Sequence, residues 1–256
     1  MKYSVIMYNF NDYELMHPLP KDAINADIEF IYVTDNPSMH GNGWNIIIDD
    51  SLAGLSPFDQ CYAVRFNLFK YTSNDICLYI DGSMQIRKNI LPLFNQFEQS
   101  NADLGLMIHP DRSTMWDEYC TWFQVRKYPP KQGYKCMAYM AMNGYDIHNY
   151  RGLYQGGLRF IRNTKRNKQL DQDTYHTLKM LGTNGIIERL DQTVHSYFVN
   201  TKYTDVSVFP FSQHWIQSQY IGICPHRSLT IAQPREHINS TGYLRNKLVS
   251  LDTCNF

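Results

Sequence analysis

Several short apolar segments of the chain end in polar residues whose side chains could bind a ligand. The most prominent group is the Asp81-Gly82-Ser83 triplet, which comes directly after an apolar run at residues 76–80. Ligands of open α/β sheets bind beyond the carboxyl ends of the strands, so residues at these positions are the first candidates for a binding site. The other candidates of this kind are Asn9, the Thr34-Asp35-Asn36 run, the Asp49-Asp50 pair and His109.

The sequence contains neither G-x-G-x-x-G after its first predicted strand nor G-x-x-x-x-G-K-[ST], the two common glycine-rich phosphate-binding motifs. A bound nucleotide would therefore be held by other groups. One arrangement is a divalent cation, Mn²⁺ or Mg²⁺, that bridges a diphosphate to a carboxylate at a strand end, and Asp81 is placed for this role. The alternative is a tight hairpin turn at Asp81 and Gly82 between residues 76–80 and 84–86, because Asp-Gly is a preferred hairpin dipeptide.

Short β-rich segments alternate with helical stretches in the first half of the chain, as parallel strands covered by helices do. The pattern predicts strands at residues 3–8, 28–33, 44–48, 76–80 and 104–108, an extended segment at 84–86, and helices at 57–71 and 90–98. In the second half it predicts helices at 117–126 and 174–181, extended segments at 156–161 and 206–209, and a loop at 128–133. The predicted fold class is α/β, with a mixed, mostly parallel sheet flanked by helices.

The composition indicates a globular chain without a strong electrostatic preference. Of 256 residues, 43% are hydrophobic, which is enough for a core and excludes global disorder. Lys+Arg and Asp+Glu number 24 each, so the whole molecule has no general attraction to nucleic acid or anionic membranes.

With no apolar run of about 20 residues, we expect no transmembrane segment and a cytoplasmic protein. The six cysteines lack a C-x-x-C pair, and we expect neither a disulfide framework nor structural zinc.

Four motifs occur in order along roughly residues 1–215. They are the stretch from Arg65 to Ile86 that contains Asp81-Gly82-Ser83, then His109-Pro110-Asp111-Arg112, the Gln155-Gly156-Gly157 stretch with its following arginines, and Leu190-Asp191-Gln192-Thr193. Together they resemble the nucleotide-sugar site of glycosyltransferases with the GT-A fold. They resemble more closely a glycosyltransferase-like family, long catalogued as a domain of unknown function, whose plant members are linked to mucilage and cell-wall polysaccharides.

The resemblance implies transfer of a sugar from a nucleotide-diphosphate sugar to an acceptor hydroxyl, in polysaccharide or glycoconjugate synthesis. It implies one GT-A-like domain over residues 1–256, with a donor-binding half at about 1–110 and an acceptor-side half at about 111–256. The implied donor-binding residues are Asn9, Thr34, Asp35, Asn36, Arg65, Lys70, Asp81, Gly82 and Ser83. The implied acceptor-binding residues are His109, Arg112, Gln155, Gly156, Gly157 and Gln192.

The same resemblance implies that Asp191 orients the acceptor hydroxyl or takes its proton, and that Arg159 and Arg162 steady the departing diphosphate. Asp81, Ser83 and His214 are the implied metal ligands. Ser83 stands where the family's Asp-x-Asp triplet has a carboxylate, and a neutral hydroxyl binds a hard cation less well.

Plainer structural interpretations stay open for most of these residues. Arg65 and Lys70 also fit a solvated helix face, residues 34–36 fit an Asn-Pro turn, and Gly156-Gly157 fits a turn into a strand. Asp191 also fits a helix N-cap before residues 193–198.

Two other functions remain as alternatives. One is a transferase that glycosylates modified DNA bases, for which Lys165-Arg166-Asn167-Lys168 is the available cationic patch. The other is a catalytically silent carbohydrate-binding module of the same fold.

Overall fold

The computed structural model of the chain describes residues 2–126, 130–149, 152–181 and 190–223. Its strands are β1 (Tyr3–Asn9), β2 (Ile28–Thr34), β3 (Asn45–Ile48), β4 (Ile76–Ile80), β5 (Met84–Ile86), β6 (Leu104–Ile108), β7 (Tyr154–Arg162), β8 (Val208–Phe211) and β9 (Ile221–Ile223). Its α-helices are α1 (Pro57–Arg65), α2 (Leu91–Gln99), α3 (Met115–Arg126), α4 (Pro130–Met142), α5 (Lys165–Leu181), α6 (Asp191–Asn200) and α7 (Gln213–Gln219).

The main sheet has the strand order β3-β2-β1-β4-β7-β6-β8. All its neighbouring strands are parallel except β7, which lies antiparallel between β4 and β6. The predicted fold class, a mixed and mostly parallel α/β sheet, is therefore confirmed. Because β7 runs against its neighbours, its first residues lie at the same edge as the carboxyl ends of β4 and β6.

Both faces of the sheet are buried, which explains the continuous apolar runs of its central strands. On β1, Ile6 and Tyr8 pack in a cluster with residues of α1, α5 and α6. Their neighbours Val5 and Met7 pack in a second cluster with residues of α2, α7 and the small antiparallel sheet of β5 and β9. Side chains of one strand thus alternate between the two cores.

Several predicted elements differ from the observed ones. The alternative interpretation of Asp81-Gly82 as a hairpin turn is wrong, because β4 pairs with β1 and β7 while β5 pairs with β9. The predicted helix at 57–71 ends at Arg65, and a 3-10 turn at Leu68–Lys70 follows it.

The two predictions for the later helices also need correction. Residues 130–133 begin α4 rather than a loop, since proline is well tolerated in the first turn of a helix; residues 128 and 129 lie outside the described residues. Helix α5 begins at Lys165 rather than residue 174. Its first turn is polar, and there the backbone N–H of Asn167 donates to the Thr164 hydroxyl.

None of the helices in the described part of the chain is long and apolar enough to cross a bilayer. Cys61, Cys77, Cys120 and Cys136 are free thiols; the remaining cysteines of the sequence lie outside the described residues.

Candidate functional site

Asp81 directly follows β4 and is fixed to the start of β7. Its backbone N–H donates to the carbonyl of Gly157 at 2.9 Å, and its half-buried carboxylate accepts a hydrogen bond from the Tyr79 hydroxyl. The hydroxyls of Tyr79 and Tyr8 lie 3.0 Å apart. Burial raises the pKa of both tyrosines well above the usual value, so both remain neutral hydrogen-bond donors. The carboxylate of Asp81 is therefore held in a defined place at the carboxyl edge of the sheet.

Arg65 connects this carboxylate to Asp191. Its guanidinium forms an ion pair with the Asp191 carboxylate, and both side chains are only 8% exposed. The same guanidinium lies 4.7 Å from the centre of the Tyr79 ring, whose hydroxyl donates to Asp81. Burial opposes the charge, but Asp191, Tyr79 and Asp81 raise the pKa of Arg65 well above its usual value. Arg65 is therefore a buried permanent cation, and its interpretation as part of a solvated helix face is wrong.

Asp191 is the first residue of α6 rather than its N-cap. The cap position is Leu190 and makes no side-chain cap hydrogen bond. The carboxylate of Asp191 instead turns to Arg65, and the negative charge still lies at the favourable, positive end of the helix dipole. The interpretation of Asp191 as a helix N-cap is therefore wrong. The cap is the preceding residue, and the Asp191 carboxylate pairs with Arg65.

Gly156 and Gly157 of β7 lie against Asp191 and Asp81 respectively, and the close approach at Gly156 requires a glycine. A Cβ on Gly156 would overlap the Arg65 guanidinium and lie 3.0 Å from Asp191 Oδ2, while one on Gly157 would lie 3.4 Å from Asp81 Oδ2. On the β6 side, Leu106 pairs with Arg159 and the next residue, Met107, with Gln155. The intervening residues of β7 thus form a bulge, a feature often found beside active sites.

A narrow pocket opens beside the Arg65–Asp191 pair. It contains about 250 Å³ of empty space including its open mouth, and its closed interior has room for about one water molecule. Its lining residues are Arg65, Phe66, Leu106, Tyr154, Gln155, Gly156, Arg159, Asp191, Gln192 and His195.

His195 is a functional candidate that the sequence motifs missed. Burial, together with the charges of Arg159 and Arg65, lowers the pKa of His195 well below its usual value, so the imidazole is neutral. Its Nε2 atom and the Gln155 Oε1 atom are buried without a hydrogen-bond partner. The signal that could have identified His195 is its spacing, because a residue four positions after Asp191 lies on the same helix face.

Of the two β7 arginines that the resemblance assigns to the departing diphosphate, one lies at the pocket and the other does not. Arg159 lies at the pocket, but it binds Asp171 through both terminal nitrogens and also donates to the backbone carbonyl of Arg65. Arg162 pairs with Ile76 at the start of β4, and therefore lies at the opposite edge of the sheet from Asp81. The direction of β7 thus separates Arg162 from the candidate site.

Gln192 lines the pocket, while His109 and Arg112 follow β6 at the same edge of the sheet. Gln192 Oε1 accepts the backbone N–H of Gly156 at 3.2 Å. Arg112 binds Glu118 of α3 and contacts His109. Burial and the charge of Arg112 lower the pKa of His109 to about 3, so His109 is neutral.

Asn9 and the residues after β2 hold the loop that follows β1. The Asn9 amide accepts the backbone N–H of Glu14 and donates to its carbonyl. The Asp35 carboxylate accepts the N–H of Asn11, a residue with φ of 56°. The structure thus places these predicted donor-binding residues at the carboxyl edge of the sheet, where each has a structural partner.

The other predicted donor-binding residues in these loops also have partners. Asn36 donates from its amide to Asp12, and Thr34 accepts the N–H of Asn36. Lys70 is partly exposed and pairs with Asp49 beyond β3 at 2.5 Å.

The predicted metal ligands do not form a cation site by themselves. The described residues contain no group of three or more His, Cys, Asp or Glu side chains that could hold a metal ion. His214 is exposed on α7, which packs on β9, and Ser83 offers a hydroxyl next to Gly82. These residues therefore do not fit a metal site built from protein side chains alone.

Comparisons with known proteins found no matching family model and no match among curated proteins. Mouse xyloside xylosyltransferase 1 in its apo form superimposes with a TM-score of 0.46 at 11% identity, over 85% of this chain and 90% of that one. The glycosyltransferase GlyE of Streptococcus pneumoniae TIGR4 gives a TM-score of 0.42 in its apo form, at 12% identity over 80% of this chain and 44% of that one. A second GlyE structure gives 0.42 at 11% identity, over 83% and 45%. The chain spans just under half the length of the GlyE chains, and likenesses this distant do not assign an activity.

Proposed function

We propose that this chain is a glycosyltransferase that moves a sugar from a nucleotide-diphosphate sugar to an acceptor hydroxyl, in polysaccharide or glycoconjugate synthesis. The observation that carries the proposal is the placement of Asp81 and Asp191 against the adjacent glycines of β7. Arg65 binds Asp191 directly and is linked to Asp81 through Tyr79. Ligands of α/β sheets bind at this edge, and a preorganised cation there can stabilise the charge that develops on a departing diphosphate.

The proposed reaction breaks the bond between the anomeric carbon and the diphosphate oxygen. A new bond forms from that carbon to the acceptor oxygen, whose proton passes to Asp191 or to the departing diphosphate. Arg65 is a permanent cation that would stabilise the negative charge developing on the diphosphate. Asp191 is the carboxylate for the acceptor side, where it orients the hydroxyl or takes its proton.

A divalent cation stays a prediction of the motif resemblance. The described residues offer too few ligands to bind one alone, so a cation would take most of its oxygen ligands from the donor's phosphates. We expect Mn²⁺ or Mg²⁺ alone to leave the melting temperature unchanged, and Mn²⁺ with UDP or GDP to raise it more than the nucleotide does. Thermal-shift titrations measure this, and a large shift with Mn²⁺ alone would contradict it.

The DNA alternative receives little support from the cationic patch. Arg166 binds the Asp205 carboxylate at 2.5 Å, Asn167 is buried, and Lys168 lies 5.2 Å from the Phe69 ring centre. Arg166 has a carboxylate partner and Asn167 does not face solvent, so the patch presents a smaller cationic surface than its sequence suggests. Duplex DNA binding that weakens steeply with salt would nevertheless favour this alternative.

The proposal is tested by incubating the purified chain with a panel of UDP- and GDP-sugars and Mn²⁺ or Mg²⁺, with and without oligosaccharide acceptors. We expect release of UDP or GDP above the level of the Asp191→Asn variant, and NMR of the product sugar gives the anomeric outcome. Binding of a nucleotide or sugar without release from any donor would overturn the proposal in favour of the silent carbohydrate-binding module.

A further inference from the structure

Arg159 contacts the backbone of Arg65. The Arg159 side chain is buried, and its Nη1 and Nη2 atoms bind Asp171 of α5 at 2.5 and 3.1 Å. Its Nη2 also donates to the backbone carbonyl of Arg65 at 2.6 Å. One guanidinium therefore joins β7, α5 and the end of α1.

The carbonyl that Arg159 binds belongs to the last residue of α1. Carbonyls in the last turn of a helix have no partner within the helix, and a cation is favourable at this end of the helix dipole. Arg159 supplies both the donor and the charge. It therefore fixes the position of the Arg65 backbone, from which the Arg65 side chain extends.

Phe66 extends this contact to the residue after α1. The Arg159 guanidinium lies 5.2 Å from the centre of the Phe66 ring. The His195 ring stacks on the same Phe66 ring, with 6.2 Å between the two ring centres. Three residues before Arg159 on the same strand, Gly156 leaves the space that the Arg65 guanidinium occupies. Strand β7 thus determines where Arg65 lies at both its backbone and its side-chain end.

We propose that Arg159, anchored by Asp171, is a positioning residue that places the Arg65 guanidinium beside Asp191. The proposal rests on the proposed function for the role of Arg65 toward the donor. It replaces the expectation that Arg159 itself contacts the diphosphate, because its terminal nitrogens are engaged by Asp171 and the Arg65 carbonyl.

The first test needs no substrate and compares Arg159→Lys with Arg166→Lys. A lysine ammonium cannot reproduce the planar fork that holds a carboxylate and a carbonyl together. Arg166 is a matched control because it also binds one carboxylate, Asp205, and one backbone carbonyl, that of Lys202, away from the site.

The readout is the side-chain ¹⁵Nε–¹H NMR signal of Arg65, assigned by its loss in Arg65→Lys. We expect this signal to shift or broaden in Arg159→Lys and to stay in place in Arg166→Lys. An unchanged Arg65 signal in a folded Arg159→Lys protein would overturn the proposal. If Arg159→Lys does not fold, the Arg65 signal is measured in Asp171→Asn, which retains Arg159 but weakens its anchor. The same shift or broadening is then expected.

The second test measures turnover at equal folded fraction. In Arg159→Lys we expect kcat to fall about 100-fold, the cost of a misplaced group near the reacting bond, with KM close to that of wild type. In Arg166→Lys we expect both constants to be unchanged.

Equal kcat values in the two variants would overturn the positioning role while the proposed function stands. A wild-type chain that turns over no nucleotide sugar would refute the proposed function, and the NMR comparison would still decide the positioning role.

Discussion

At the scale of single residues, the candidate site is organised around the guanidinium of Arg65. It binds Asp191, lies on the Tyr79 ring and fills the space that Gly156 leaves. A buried ion pair is costly to break, because removal of one partner leaves an unpaired charge away from water. The two candidate carboxylates should therefore differ in how much the fold depends on them.

Asp81→Asn and Asp191→Asn are expected to separate activity from stability. Both should lower kcat by at least about 100-fold, since each removes a charged group from the reacting centre. Asp191→Asn should also lower the free energy of unfolding by about 3–5 kcal/mol because it leaves Arg65 unpaired. Asp81→Asn should cost much less stability, because an amide oxygen still accepts from Tyr79. Donor turnover and urea unfolding measure the two effects, and an equal stability loss in both variants would contradict the interpretation.

Gly156→Ala is expected to displace Arg65. The added methyl group would overlap the guanidinium and lie 3.0 Å from Asp191 Oδ2, in a region where both side chains are held by their ion pair. Overpacking of this kind costs about 1–3 kcal/mol. Gly157→Ala is the matched comparison, since its methyl group would meet the flexible end of Met84 at 2.6 Å. Thermal unfolding of the two variants should show the larger loss for Gly156→Ala, and the reverse order would be inconsistent with the described packing.

At the scale of elements, polar residues at strand ends connect one element to the next. Asp49 follows β3, and its carboxylate accepts hydrogen bonds from Lys70 and Tyr71, beyond α1, at 2.5 and 2.6 Å. A predicted donor-binding residue, Lys70, is thus part of the connection between β3 and the 3-10 turn. Its role toward a donor stays a prediction.

Asp49 should make the stability depend on acidic pH. Although partial burial opposes it, the hydrogen bonds from Lys70, Ser51 and Tyr71 lower the pKa of Asp49 to about 2. A carboxyl group whose pKa is lower in the folded state stabilises the fold above its unfolded pKa of about 4, and this contribution disappears as the pH falls toward 2. After allowance for solvent screening we expect about 1 kcal/mol. Urea unfolding at pH 6 and pH 3 should show a smaller pH-dependent loss in Asp49→Asn than in wild type, and identical losses would argue against this.

At the scale of the whole molecule, the second half of the chain completes the sheet of the first half. Strand β7 lies between β4 and β6, and its Phe160 ring lies 5.2 Å from the ring centres of Phe94 and Phe97 and 4.9 Å from that of Phe211. This aromatic cluster joins β7, α2 and β8. The predicted donor and acceptor halves are therefore interleaved within one sheet.

Phe160→Ala should destabilise the whole sheet. Phe160 is fully buried, and deletion of a buried phenyl ring costs about 3–5 kcal/mol. Phe209→Ala is the control, because Phe209 is half-buried on the edge strand β8 and should cost less. Circular dichroism and tryptophan fluorescence in urea should give coincident transitions, displaced further in Phe160→Ala than in Phe209→Ala. Equal displacement would contradict the central place of Phe160 in the core.

Much of the fold could be predicted because its strands are short, apolar and locally recognisable. The ranges of β4, β5 and β6 agree with the prediction to the residue. The start of α5 was missed because its first turn is polar. The whole of α4 was missed because proline and glycine near its start hid the helical pattern. The extended state of β5 was predicted but its partner was not, since nothing near Asp81-Gly82 indicates pairing with β9.

For the candidate site, the sequence by itself determined which residue types stand at the strand ends and in the ordered motifs, including Asp81, Arg65 and Asp191. Only the tertiary structure decided that Arg65 binds Asp191, that Arg159 is engaged by Asp171, that Arg162 lies at the opposite edge and that His195 lines the pocket. The physical reason is that local patterns report the state of the backbone over a few residues. Contacts between side chains far apart in the chain depend instead on how strands and helices pack in three dimensions, as the antiparallel insertion of β7 demonstrates.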